Sequence, residues 1–148
     1  MSQDGIHLET SLGYLLKEAS SGLRTAMEAE LRPLGMSVTH YSCLELLAQR
    51  AGLSNSDLAR GTFVSRQSMN VLLQSLEKEG LVSRPATAAT GRVLPTELTA
   101  AGRAQLKVAS TAVRGVEDRM KSGMDETEQA AFADLLARSI TSLREARP

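Results

Sequence analysis

The sequence predicts a mainly α-helical single domain carrying one small β-hairpin, and three observations predict it. Apolar residues recur at helical spacing through most of the 148 residues. Serine, threonine or aspartate stands as a cap before most of those runs, with glycine after several of them. Between Leu81 and Leu98 the pattern changes to two short stretches rich in β-formers. With 42% apolar residues and a formal net charge of zero, the chain can bury one core and is not disordered as a whole.

Taken in order, Leu8, Leu12, Leu15, Leu16, Ala19, Leu23, Ala26, Met27, Leu31 and Leu34 form the stripe of a long first helix, ended by Pro33 and Gly35. Ser37 caps a second helix containing Tyr41, Leu44, Leu47 and Ala48, closed by Gly52. Ser54 followed three residues later by Asp57 opens a short third helix through about Arg60. Ser65 starts a fourth, with Met69, Leu72, Leu73 and Leu76 inward and Gly80 at its end. Leu81–Arg84 and Val93–Leu98 read as strands around a tip of small residues, Pro85 to Gly91. Pro95 cannot donate to a ladder, so its strand needs an open edge there. Thr99 caps a fifth helix striped by Leu106, Ala109, Val113, Val116 and Met120. Asp125 with Glu128 opens the last helix, with Phe132, Leu135, Leu136, Ile140 and Leu143 inward.

Two short helices joined by Gly61-Thr62-Phe63-Val64 and followed at once by a hairpin make a winged helix-turn-helix pattern over 37–98. Ala59 is the small residue at the helix crossing, and Met69 the apolar anchor. The segments flanking this unit, 8–34 and 99–146, are longer than a compact monomer of this size needs. They are expected to pair with copies of themselves in a two-fold dimer, the alternative being a closed monomeric bundle.

The outward face of the fourth helix carries Arg66, Gln67, Asn70 and Gln74. Arginine can grip guanine at two points, and glutamine or asparagine can do so with adenine. Ser65 and Ser68 stand at the helix N-terminus, where free N–H groups favour a phosphate. Zero net charge is unusual for a nucleic-acid binder. From Leu53 to Arg103, however, six cationic residues face four acidic ones, while the first 36 residues carry a net −2. The expected mode is therefore a modest number of phosphate contacts plus base-edge readout.

The runs Leu53-Ser54-Asn55-Ser56-Asp57-Leu58-Ala59, Val64-Ser65-Arg66-Gln67-Ser68-Met69 and Leu76-Glu77-Lys78-Glu79-Gly80-Leu81-Val82-Ser83-Arg84, then Arg92 and Leu98-Thr99-Ala100-Ala101-Gly102, resemble the MarR family of bacterial transcription regulators. The resemblance implies a homodimer on double-stranded DNA at a palindromic operator, with the fourth helix in the major groove. It also implies a wing arginine, Arg92, in the minor groove, here with Arg84 as a second wing contact. Many relatives are repressors released by small phenolic or other anionic effectors. In relatives the effector pocket is lined by the first, second and fifth helices, which makes Tyr14, His40 and Tyr41 the candidate ligand-binding residues. One position departs from the pattern: Thr90 stands where the family wing usually has an aspartate, two residues before the arginine. A hydroxyl holds a guanidinium less firmly than a carboxylate, so a looser wing and a smaller minor-groove share of the affinity are expected.

Other readings compete with this one. With two histidines and one cysteine there is no convergent catalytic set, and neither an enzyme nor a cofactor is expected. His40 and Cys43 can share a helix face but lack the two further ligands of a zinc site, so no metal is expected; His40 is read as helping to cap its helix. A redox-responsive regulator acting through Cys43 needs an exposed thiolate, and the bland reading packs Cys43 in the core. A winged-helix module for protein–protein interaction would use the same polar face. No run approaches the ~20 apolar residues of a membrane span, and Met1–Thr10 lacks a signal-peptide layout, so a cytoplasmic protein without a membrane partner is expected.

Overall fold

The computed structural model describes residues 5–50, 52–84 and 95–145. Its elements are α1 (Leu12–Leu31), a 3-10 turn (Arg32–Leu34), α2 (Val38–Gln49), α3 (Asn55–Thr62), α4 (Arg66–Lys78), β1 (Val82–Ser83), β2 (Glu97–Leu98), α5 (Ala100–Lys121) and α6 (Glu126–Arg144). The fold is thus mainly helical with one small antiparallel ladder, paired Val82 to Leu98 and Ser83 to Glu97.

Capping chemistry sets most boundaries. Ser37, Ser54, Ser65, Thr99 and Asp125 each accept a hydrogen bond from the backbone N–H three residues on. The Ser54/Asp57 and Asp125/Glu128 boxes are reciprocal. Two boundaries differ from the sequence reading. α1 begins at Leu12, not Leu8, because the Ser11 hydroxyl caps Tyr14 N–H and leaves Leu8 exposed before the helix. α3 continues past Arg60 to Thr62, and Phe63 then adopts φ 60° in the left-handed region. There its N–H reaches Arg60 O at 3.3 Å and Val64 N–H reaches Ala59 O at 3.0 Å, a Schellman ending. Phe63 is the only non-glycine residue with positive φ among the described residues. The left-handed conformation costs a side-chain-bearing residue about 1–2 kcal/mol.

The ladder is shorter than the sequence suggests. Pro95 lies before β2, so it interrupts no ladder bond, and the open-edge argument does not arise for it. Val93, Leu94 and the hairpin tip with Thr90 and Arg92 lie outside the described residues.

The core joins Leu31 of α1, Cys43 and Leu44 of α2, Leu58 and Ala59 of α3, and Met69, Leu73 and Leu76 of α4. Leu81, Val82, Leu98, Leu106 and Ala109 close it from the hairpin foot and α5. Leu72, expected inward, is only partly buried at the edge of this cluster. The hairpin foot locks onto α5 through Thr99, whose N–H reaches Leu81 O at 3.1 Å and whose hydroxyl donates to Gly80 O at 2.6 Å. Gly102 lies so close to this junction that a Cβ there would sit 2.1 Å from Leu81 O.

α1 packs along α5, but α6 has no comparable packing partner among the described residues. Phe132, Leu135, Ile140 and Leu143, expected inward, are exposed in the single chain, Leu143 at 83%. Leu12, Leu15 and Leu16 of α1 are exposed in the same way. These stripes have helical spacing but nothing to cover them among the described residues of their own protomer.

Candidate nucleic-acid interface

α4 is fixed from beneath by Met69, Leu73 and Leu76, so its opposite face is presented to solvent as a rigid surface. Arg66, Gln67 and Gln74 are exposed on it, with no side-chain partner among the described residues. Their guanidinium and amide groups are available for base edges. Asn70 differs: it is half-buried, and its Oδ1 accepts from Asn55 Nδ2 at 3.4 Å and from an Arg84 guanidinium nitrogen at 3.2 Å.

The two serines at the helix start also separate in role. Ser65 Oγ accepts from Ser68 N–H at 3.0 Å and donates to Ser68 Oγ at 3.0 Å, so its one hydroxyl proton is committed within the cap. Ser68 retains its own hydroxyl proton for an anion, at a helix end where the dipole favours negative charge.

Two exposed apolar residues on this surface were not singled out by the sequence. Val71 is 61% exposed, one turn from Gln67 and three residues before Gln74. Phe63 is 89% exposed, two residues ahead of the Ser65 cap. Apolar side chains in a helical pattern default to the core. The signal that separates Val71 is its angular position between two polar face residues; for Phe63 it is the absence of any inward face in a left-handed turn. Both offer the kind of contact a thymine methyl accepts.

Charge across the surface is uneven. Arg60 is paired with Asp57 at 2.6 Å, and the Ser54 backbone and hydroxyl together with Arg60 hold the Asp57 carboxyl below its ordinary range. Arg66 and Arg84 have no carboxylate partner among the described residues. Glu77 and Glu79 stand at the far end of α4.

The candidate effector residues divide into two places. His40 and Tyr41 lie at the α2–α5 seam. The His40 ring does not cap the helix: Ser37 caps through His40 N–H, and the ring itself is buried beside Gln105 of α5. Neither His40 Nε2 nor Gln105 Oε1 has a well-aligned hydrogen-bond partner among the described residues. Burial pushes the His40 pKa down, opposed by Glu79 and Gln105. Tyr41 stands beside Ser110 and Glu45, its pKa raised chiefly by burial, and Ser110 Oγ donates to Glu45 Oε2 at 3.1 Å. Tyr14 is elsewhere. A groove of about 250 Å³ between α1 and α5 is lined by Ala19, Gly22, Leu23, Ala26, Val116, Arg119 and Met120, and by none of the three candidates. The turns of α5 between Ser110 and Met120 place it roughly 15 Å from the Tyr41 site at 1.5 Å per residue.

His40 gives a pH signature. Its folded pKa lies below the ordinary 6.5, so the unfolded chain binds a proton that the native chain refuses. Its stabilising contribution is complete above the unfolded value and falls as pH drops through 6.5 towards the folded value. Urea midpoints measured between pH 7.5 and 5.5 are expected to decline in the parent protein and less steeply in His40→Asn. Equal slopes in the two proteins contradict a buried neutral imidazole.

Cys43 is fully buried, its Sγ 3.9 Å from Met69 Sδ, and burial pushes the thiol up to about 11. A buried neutral thiol does not supply the thiolate that the redox alternative needs. Among the described residues, no group of three or more His, Cys, Asp or Glu could hold a metal ion, and no helix is long and apolar enough to cross a membrane.

Known proteins resemble this chain along most of its length. The sequence pattern of the MarR family matches residues 34–93. The HTH-type transcriptional repressor Rv2887 of Mycobacterium tuberculosis (strain ATCC 25618 / H37Rv) is 40% identical over 132 residues, 89% of this chain and 95% of that protein. Crystal structures of Rv2887, a MarR family protein, include a complex with salicylic acid (40% identity, TM-score 0.74, 87% of this chain and 96% of the other). Another is a complex with DNA (38% identity, TM-score 0.73, 87% and 97%). A MarR family transcriptional regulator from Silicibacter pomeroyi superposes over the full length of both chains with TM-score 0.85 at 26% identity.

Proposed function

The chain belongs to the MarR family, and from that premise we propose that it is a homodimeric, sequence-specific DNA-binding repressor relieved by a small aromatic acid. The observation that carries the DNA reading is the exposed Arg66–Gln67–Gln74 face of α4, held rigid by Met69, Leu73 and Leu76, with Arg66 and nearby Arg84 free of carboxylate partners among the described residues. The Rv2887 complex with DNA supports the same reading. α4 enters the major groove, Arg66 and Gln67 read base edges, Ser68 meets phosphate, and Arg84 and Arg92 make the wing contacts. The site is one of recognition, with no catalytic role, and the protein acts in the cytoplasm beside the DNA it controls.

Dimerisation follows from the uncovered stripes. The exposed residues of α6 and of the start of α1 gain cover only from a second copy, and two copies set two α4 helices on one duplex. A palindromic operator is the matching DNA symmetry.

For the effector, salicylic acid and p-aminosalicylic acid complexes of Rv2887 point to a benzoate-like anion. In this chain His40 and Tyr41 at the α2–α5 seam supply an unpaired imidazole nitrogen and a phenol. The experiment is binding, by fluorescence anisotropy, to the DNA upstream of the protein's own gene. Affinity should fall steeply as salt is raised, and salicylate should release the duplex. Absence of binding at low salt would assign the α4 face to a protein partner instead.

A further inference from the structure

Asn70 lies on the α4 face whose residue types suit base reading, yet its geometry gives it a different task. Its amide oxygen accepts from both Asn55 Nδ2, at 3.4 Å, and Arg84, at 3.2 Å. Arginine has only donors, so the orientation of the Asn70 amide is settled: the oxygen must face Arg84. A carbonyl oxygen offers two lone pairs, and both are engaged. Reading adenine takes a donor and an acceptor on the same amide, and the Asn70 acceptor is already in use. Meanwhile the three residues of this cluster come from three elements: Asn55 opens α3, Asn70 lies on α4, and Arg84 follows β1 at the foot of the wing.

We infer that Asn70 is a positioning residue, which fixes the Arg84 guanidinium for a DNA phosphate and does not read a base. The chemistry of the post is what makes this useful. On α3, Arg60 is held by the Asp57 carboxylate at 2.6 Å, and a cation so paired has little field left for DNA. A neutral amide orients Arg84 without cancelling its charge. The segment from Pro85 to Leu94 contains no acidic residue, and Glu97 on β2, opposite Ser83, makes no ion pair with Arg84 among the described residues. Holding the side chain half-buried in advance removes rotamer entropy that would otherwise be lost on binding. Arg84 keeps further N–H donors for the phosphate.

The inference rests on the DNA-binding reading, and the experiment separates the two. Affinities of the full-length parent protein, Asn70→Ala, Arg84→Ala and the double variant are measured on one operator duplex over a salt series, and on duplexes substituted at each base pair. Arg84→Ala is expected to lower the slope of log K against log salt by about 0.9 per protomer. Asn70→Ala should cost about tenfold in affinity with an unchanged ranking of the substituted duplexes. The double variant should bind no more weakly than Arg84→Ala alone, because Asn70 acts only through that side chain. Asn70→Asp keeps the acceptor but neutralises Arg84, so it should reproduce the reduced salt slope of Arg84→Ala. Additive losses in the double variant, or loss of discrimination at one base pair in Asn70→Ala, would make Asn70 a base reader and overturn the inference. A parent protein that binds no duplex at low salt removes the DNA reading itself.

Discussion

Gly102→Ala should prevent the hairpin foot and α5 from packing as they do, with a loss of about 3 kcal/mol or more in unfolding free energy, at or beyond the upper end of overpacking costs. A Cβ at this position would sit 2.1 Å from Leu81 O, 3.1 Å from Leu81 C and 3.3 Å from Leu98 Cδ2. The first two are backbone atoms and cannot swing aside. Leu81 O also accepts the Thr99 N–H, so moving it breaks the bond that starts α5 beside the hairpin. Leu81, Val82 and Leu98 would all shift out of the core together. Gly61→Ala is the internal comparison, since the added carbon there meets only the Leu46 side chain, whose nearest atom is a terminal methyl. Chemical denaturation monitored by circular dichroism should therefore show a large drop in midpoint for Gly102→Ala and a small one for Gly61→Ala. Comparable midpoints for the two variants would mean that the junction yields more easily than its geometry implies.

Phe132→Glu combined with Ile140→Glu should convert the protein to a monomer and weaken operator binding by about 10²- to 10⁴-fold, the usual gain from linking two sites. Both residues are exposed on α6, and α6 has no substantial packing partner among the described residues. The substitutions should therefore leave the core around Leu44, Leu58, Met69 and Leu73 intact. If a second copy covers α6, they place two carboxylates in its apolar seam, where unpaired charges are strongly disfavoured. Sedimentation should give the monomer mass with the near-UV signature of the folded core retained. Affinity for a single half-site should change little. A dimer that persists in the double variant would place the interface elsewhere.

These effects also show which parts of the molecule local chemistry encodes. Ser37, Ser54, Ser65, Thr99 and Asp125 are legible because a cap needs only a few consecutive residues. The start of α1 was less so: the apolar stripe runs on through Leu8, and only the Ser11 hydroxyl marks where the helix begins. At α6 the apolar stripe was legible, and its cover was expected from a second copy only because of the helix length, since periodicity says that a face is apolar without saying which chain covers it. The same limit hid Val71, whose side chain is apolar yet faces outward beside Gln67 and Gln74.

Within the candidate site, residue type singled out Arg66, Gln67 and Gln74, which are exposed, but could not show that Asn70 is engaged by two neighbours. Its role depends on Asn55 and Arg84, 15 residues before it and 14 after it. No helix-spacing rule connects such positions. The candidate ligand set is spread out for a related reason. Tyr14, His40 and Tyr41 share a polar tip, but Tyr14 lies on α1, whereas His40 and Tyr41 lie on α2 beside Gln105 and Ser110 of α5. Conversely, the zero net charge that argued against nucleic acid loses its force once the acidic residues are placed. Asp57 is tied to Arg60, and Glu77 and Glu79 stand at the far end of α4.

The central claim is that α4 reads DNA in a dimer, and Arg66→Ala tests it most directly. Titrated by anisotropy at fixed salt on the upstream duplex and on a scrambled duplex, the parent protein should saturate the first at two protomers per site. Arg66→Ala should then lose about 1–3 kcal/mol on the upstream duplex, the worth of a good bidentate base contact, and far less on the scrambled one. Equal losses on both duplexes would reduce Arg66 to a phosphate contact. No loss on either would contradict the account.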